Sequence, residues 1–105
     1  MSFGRYTTPT IIMELPDGEY PAVDFTQADH VYVTFSSGKN SFTKTGDDLV
    51  ISERSVGVIL TQEETGRFRD YTEAQVNWTA NGGMRYQSDI VTLDVDRNLL
   101  ERVVE

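Results

Sequence analysis

The sequence predicts an all-β, mainly antiparallel domain, a small immunoglobulin-like β-sandwich of about seven short strands. Residues 31–35, Val-Tyr-Val-Thr-Phe, put Val31, Val33 and Phe35 on one face, and residues 74–78, Ala-Gln-Val-Asn-Trp, do the same with Ala74, Val76 and Trp78. A period of two means strands with one face buried and the other in water. Gly-, Asn- and Asp-containing turn signals separate such segments at intervals of about 8–12 residues. A partly open barrel is the alternative architecture.

Residues 1–8 are polar and aromatic without a period, and form a flexible or docking arm in this reading. The first strand spans 9–15, with Ile11, Met13 and Leu15 on one face and Pro9 at its start, where a missing N–H does least harm. Pro16-Asp17-Gly18 signals a turn, and Pro21 keeps the following segment irregular. Asp24 to Asp29 leads into a strand at 30–36. Ser37-Gly38-Lys39-Asn40 closes a hairpin onto a strand at 41–45. Gly46-Asp47-Asp48 turns the chain into 49–52, with Leu49 and Ile51 inward. The strand at 55–60 carries Val56, Val58 and Leu60 on one face, with Gly57 opposite as a candidate bulge or close backbone approach.

Thr61 and Glu64 have capping-box spacing, so a short helical turn is expected near 62–66, ended by Gly66 and anchored by Phe68 and Tyr71. A long strand follows at 73–80. Asn81-Gly82-Gly83 signals a hairpin with a type I′ turn, which needs positive φ at both central positions. The return strand runs from Met84 to Val95, with Val91, Leu93 and Val95 on one face. The period then changes. Asp96 is the expected N-cap of a C-terminal helix over 97–104, with an apolar stripe of Leu99, Leu100, Val103 and Val104. So short a helix needs a surface to dock on, either its own sandwich or a neighbouring subunit. Edge strands carry only scattered charge, and an exposed edge invites strand pairing with a partner.

The 105 residues suit a single domain, 1–105. A net charge of −8 repels phosphate, so neither nucleic acid nor an anionic membrane surface is an expected partner. The chain has no cysteine, which excludes disulfides, thiolate catalysis and Cys-ligated zinc and fits a reducing cytosol. Residues 1–6 lack the apolar run of a secretory signal, and no stretch approaches the roughly 20 apolar residues of a membrane helix. The expected location is the cytoplasm, or a particle assembled there.

Reactive constellations are sparse. His30, the only histidine, lies at a strand entry without the further ligands of a metal site or the nucleophile of a triad, and is an ordinary strand-edge residue in this reading. The carboxylate pairs Asp47/Asp48, Glu63/Glu64 and Asp94/Asp96 fall in a turn, at a helix start, and at an outward strand position and a cap. Each place explains the charge without glycoside hydrolysis or calcium binding. Gly82-Gly83 leads into a strand, so a phosphate-binding helix N-terminus is not signalled. No enzyme activity, metal, cofactor or small-molecule substrate is expected. Trp78, Tyr71, Tyr86, Tyr32 and Tyr20 have the amphipathic rings that sugar-binding modules stack on, which makes a small carbohydrate-binding-like module the alternative function. Alternation sends Trp78 to the core and Tyr32 to solvent or a partner, and Tyr86 is placed to pair across the 81–83 hairpin.

Five segments in order carry a family resemblance: Thr7-Thr8-Pro9-Thr10, Asp24 to Ala28 before Val31–Phe35, Leu60 to Thr65, Gln75 to Trp78, and Leu99 to Val104. Over nearly its full length the chain resembles small proteins of phages and prophages of Firmicutes, and its layout is similar to the N-terminal β-sandwich domain of phage baseplate upper proteins. The resemblance implies a tail or baseplate component or accessory protein, in the bacterial host cytoplasm or incorporated in the virion. It carries over no catalytic residue, and the partner-binding and trimerising regions of the longer proteins have no counterpart here. The implied partners are other tail or baseplate proteins, or further copies of the chain. The contact candidates are Tyr6, Tyr32, Leu100 and Val104.

Overall fold

The structure, a computed structural model, describes residues 2–15, 24–80 and 82–104. The expected turn at Pro16-Asp17-Gly18, the irregular segment around Pro21, and the residues Tyr20 and Asn81 lie outside the described residues.

The alternating segments build two sheets. Strands β1 (Ser2–Gly4), β3 (His30–Ser37), β4 (Asn40–Thr45), β7 (Tyr71–Ala80), β8 (Met84–Gln87) and β9 (Val91–Asp96) form the larger, ordered β1-β9-β7-β3-β4 with β8 also beside β7. Strands β2 (Thr10–Glu14), β5 (Leu49–Ile51) and β6 (Ser55–Ile59) form the smaller, ordered β2-β6-β5. The inward residues of both enter one core: Ile11, Met13, Val56 and Val58 from the small sheet, facing Val33, Phe35, Val76 and Leu93 from the large one. Each such side chain contributes about 1.5–3 kcal/mol by leaving water. The molecule is thus a mainly antiparallel, sandwich-like all-β fold, as the alternation predicts.

Local signals account for several connections. Ser37 pairs with Asn40 around Gly38-Lys39, and Gly38 has φ +60, the glycine-favouring first position of a type II′ hairpin turn. Helix α1 (Gln62–Gly66) starts with the expected capping box. The Thr61 N–H donates to Glu64 Oε1 at 2.9 Å, and the Glu64 N–H donates to Thr61 Oγ1 at 3.2 Å. Phe68, just beyond, is buried, whereas Tyr71 is 61% exposed and does not anchor the turn. Gly57 marks no bulge: it pairs in unbroken register with Ile12 on one side and Val50 on the other. Ile51 lies on the inward row but stays 37% exposed, at the end of its short strand.

Four further expectations do not hold. The N-terminal segment is not a free arm. Residues 2–4 form β1, parallel to β9, and the Arg5 N–H donates to the Asp96 carbonyl at 3.0 Å. The C-terminal helix over 97–104 does not form, and Asp96 ends β9 instead of capping it. Its stripe has little to bury against, with Leu99 at 87% and Leu100 at 50% exposure. Two consecutive β-branched valines disfavour helix, and helices this short are marginal alone. Side chains supply other bonds: Asn98 Oδ1 accepts from the Leu100 N–H, and the Gln62 amide both donates to the Val104 carbonyl and accepts from the Val104 N–H, each at 2.8 Å. The 81–83 connection has three positions between the paired Ala80 and Met84, one more than a type I′ hairpin turn, although Gly82 and Gly83 both have positive φ.

Lastly, the return strand is broken. Asn77 pairs with Gln87 but Ala74 with Val91, so the return strand has one extra residue, a β-bulge between β8 and β9. Buried Ser88 holds it: its N–H donates to the Val76 carbonyl at 2.8 Å, and its Oγ accepts from the Val76 N–H at 3.0 Å, where a strand carbonyl would otherwise sit.

Candidate functional site

The two long sides of the sandwich differ. On the β4 side, Phe68 stacks on Phe42 with centroids 5.8 Å apart and meets Phe35 and Phe3, each at 6.1 Å. Above it Lys44 Nζ lies 2.7 Å from Glu64 Oε2. These contacts pack the connection around α1 against residues of β4, β3 and β1. On the opposite side, β2 ends the small sheet and β1 covers β9 only along Asp94–Asp96. Between them runs a cleft of about 620 Å³, walled by Ile11, Met13 and Leu15 on one side and Val76, Val91 and Leu93 on the other.

The outer face of the small sheet is also apolar. Ile12, Gly57 and Val50 lie in one cross-strand row, with Ile59 beside them. Ile12, Val50 and Ile59 are 58%, 69% and 59% exposed, and the glycine leaves a shallow floor between them. Sequence reasoning missed this patch. The signal was present in Ile11-Ile12, Leu49-Val50-Ile51 and Val58-Ile59-Leu60, where apolar residues occupy both faces of a strand.

The outer face of the large sheet is polar. A hollow of about 430 Å³ gathers Tyr32, Thr34, Thr43, Asn77 and Arg85. Trp78 presents no open ring there. It is buried edge-on to Phe25 at 5.1 Å and stacked on its cross-strand partner Tyr86 at 5.8 Å.

The four contact candidates do not form one surface. The Tyr6 ring packs over Gly66 of α1, and its φ of 59 is held in the left-handed region that non-glycine residues seldom adopt. Tyr32 stands on the polar face beside exposed His30. Leu100 and Val104 lie along the C-terminal segment that returns to α1, 50% and 38% exposed. The acidic pairs are dispersed: Asp47 and Asp48 in a 3₁₀ turn, Glu63 and Glu64 in the first turn of α1, Asp94 and Asp96 on β9. Among the described residues, no three His, Cys, Asp or Glu side chains come together as metal ligands would. No described helix is long and apolar enough to cross a membrane.

The surroundings of Glu64 favour its charged form. Partial burial pushes its carboxyl up, but the Lys44 bond and charge, with the bonds from Thr61, outweigh it and hold the pKa below the ordinary 4.5. A carboxyl lowered on folding stabilises above its unfolded value and loses that contribution as pH falls through the folded one. Urea denaturation is therefore expected to show stability falling as pH drops below 4.5, with Glu64→Gln flattening that slope and costing about 1 kcal/mol at neutral pH. Glutamine still reaches the Thr61 N–H, so the change reports the charge; an unchanged slope refutes the assignment.

These features define the protein's class as a small all-β, sandwich-like domain with an open cleft beside β2 and an apolar outer face on its small sheet. No family model matches the chain, and no curated protein matches it.

Proposed function

We propose that the chain is a non-enzymatic structural or accessory protein of a phage or prophage, a tail or baseplate component acting through protein–protein contacts. The contact mode rests on one observation: Ile12, Val50 and Ile59 surround Gly57 on the outer face of the small sheet, and each of the three residues is more than half exposed. A contiguous apolar patch on a domain this small marks a surface that another subunit covers. The tail or baseplate assignment rests on the resemblance of the segments from Thr7 to Val104. In this reading the protein is made in the cytoplasm of the bacterial host and incorporated in the virion, against other tail proteins or its own copies.

Quantitative mass spectrometry of particles purified after prophage induction tests the reading. The chain is expected at a fixed ratio to known tail proteins. Val50→Asp is expected to leave folding stability within about 0.5 kcal/mol, because the side chain is exposed, and to remove the protein from particles. Intact particles that form without the chain, or that incorporate Val50→Asp normally, refute it.

A further inference from the structure

The open cleft has the form of a missing strand. The Leu60 N–H donates to the Pro9 carbonyl and the Leu15 N–H to the Arg54 carbonyl, both across the β2–β6 ladder at 3.0 Å. Antiparallel pairing alternates, so the odd-numbered residues of β2 bond toward β6 and the N–H and C=O groups of Thr10, Ile12 and Glu14 point the other way. Among the described residues nothing pairs with that edge. Across the cleft the same holds for Thr92. The Val95 N–H donates to the Asp70 carbonyl, which directs the odd residues of β9 toward β7, and β1 stops short of Thr92. Two strand edges thus flank a trough lined by Ile11, Met13, Leu15, Val76, Val91 and Leu93. Exposed edges of this kind are normally blunted by charge or covered.

We infer that this cleft is a slot for one further β-strand, supplied by another protein as an extended segment with an apolar residue at every second position and lysine or arginine between. Main-chain groups of β2 give the strand its backbone partners, and the trough takes alternate apolar side chains, as in β-strand addition generally. Charge sets the chemistry of the remaining positions. Exposed Glu14 stands on the β2 wall and exposed Asp89 on the other, in a chain of net charge −8. A basic residue opposite Glu14 makes a favourable cross-strand pair, and an acidic one is repelled. The length of β2, Thr10–Glu14, suits a strand of about 17 Å. The slot rests on the interaction reading above and names its partner chemistry.

The test is amide hydrogen exchange and chemical-shift mapping by NMR on the full chain, with a short capped peptide alternating lysine and valine as probe. Saturable binding is expected, with shifts along β2 and Val91–Leu93 and exchange of the Ile12 and Glu14 amides slowed about tenfold or more. A peptide alternating glutamate and valine is expected to bind at least about fivefold more weakly, and Glu14→Lys to weaken the lysine peptide by a similar factor. Ile12→Pro removes an outward N–H while leaving the bonds to β6, and is expected to abolish binding. If that variant does not fold, Glu14→Lys carries the test. The slot is overturned by the absence of saturable binding, by shifts confined to other faces, or by equal binding of the glutamate peptide. Ile12 and Glu14 amides already protected in the free chain overturn it too, since the edge is then covered from within. Protection that rises with protein concentration alone makes a second copy the occupant. Particles that hold the chain at a fixed ratio although no peptide binds would sink the slot and leave the assembly role standing.

Discussion

Replacing Phe68 with alanine is expected to destabilise the domain by about 3–5 kcal/mol, a large part of the roughly 5–15 kcal/mol that holds a domain of this kind together. The ring is 2% exposed and joins three others, Phe42 and Phe35 in stacked and Phe3 in tilted geometry. Removing it leaves a cavity where the α1 connection crosses between sheets, and it takes from β1 the contact that Phe3 makes with the core. Urea denaturation measures the loss. Tyr71→Ala, three positions along but with its ring in solvent, is expected to change stability by no more than about 0.5 kcal/mol. Equal effects from the two substitutions would mean that the aromatic cluster does not hold the α1 connection to the core.

Ser37→Ala is expected to cost about 1–3 kcal/mol although it removes a single atom. The apolar stripe Val31-Val33-Phe35 ends at Ser37, which is 1% exposed. Its Oγ accepts from the Arg69 N–H at 2.6 Å and from Thr72 Oγ1 at 3.0 Å, and donates to the Tyr71 carbonyl at 3.4 Å. Thr72 can turn its hydroxyl to the Arg69 carbonyl at 3.2 Å, but the Arg69 N–H keeps no acceptor once Ser37 is gone. The penalty is therefore that of a partly buried unsatisfied donor. Ser36→Ala, on the solvent face of the same strand, is the control and should be near neutral. Faster exchange of the Arg69 amide in Ser37→Ala is the second readout, and an unchanged rate would show that the serine does not hold this connection.

What could be read from the chain depended on how local the cause was. The inward sets of β3 and β7 follow from strict alternation, and the start of α1 follows from a Thr and a Glu three residues apart whose bonds close within one turn. The Gly38 hairpin likewise needs only a glycine at the first turn position. The failures share a different cause. Tyr86 and Leu93 lie on the same face of the large sheet, yet their separation is odd, which on an unbroken strand puts them on opposite faces. The bulge at Ser88 reverses the alternation, and nothing in Gln87-Ser88-Asp89-Ile90 announces that the serine hydroxyl will replace a strand carbonyl. The C-terminal stripe has helical spacing, but spacing states only which residues would share a face. It provides no surface to bury them, and the Gln62 amide that binds Val104 comes from 42 residues away. Three-residue β1 carries no pattern long enough to detect. Of the contact candidates, Tyr32 was placed outward by alternation, whereas Tyr6 depended on a glycine of α1 that only the fold brings beneath its ring.

The sequence by itself determined the class of the protein: a small β domain, which side chains enter its core, where its hairpins turn, and an acidic surface. Those follow from the period of two, from glycine's freedom at positive φ and from composition, all properties of neighbouring residues. Only the tertiary structure decided which strands are neighbours, that β2 and β9 leave their edges open across one cleft, and that Tyr6 and Val104 both come to lie against α1. Period two states which face of a strand is buried, but not which strand lies beside it, because edge pairing is set by backbone groups that every residue carries alike.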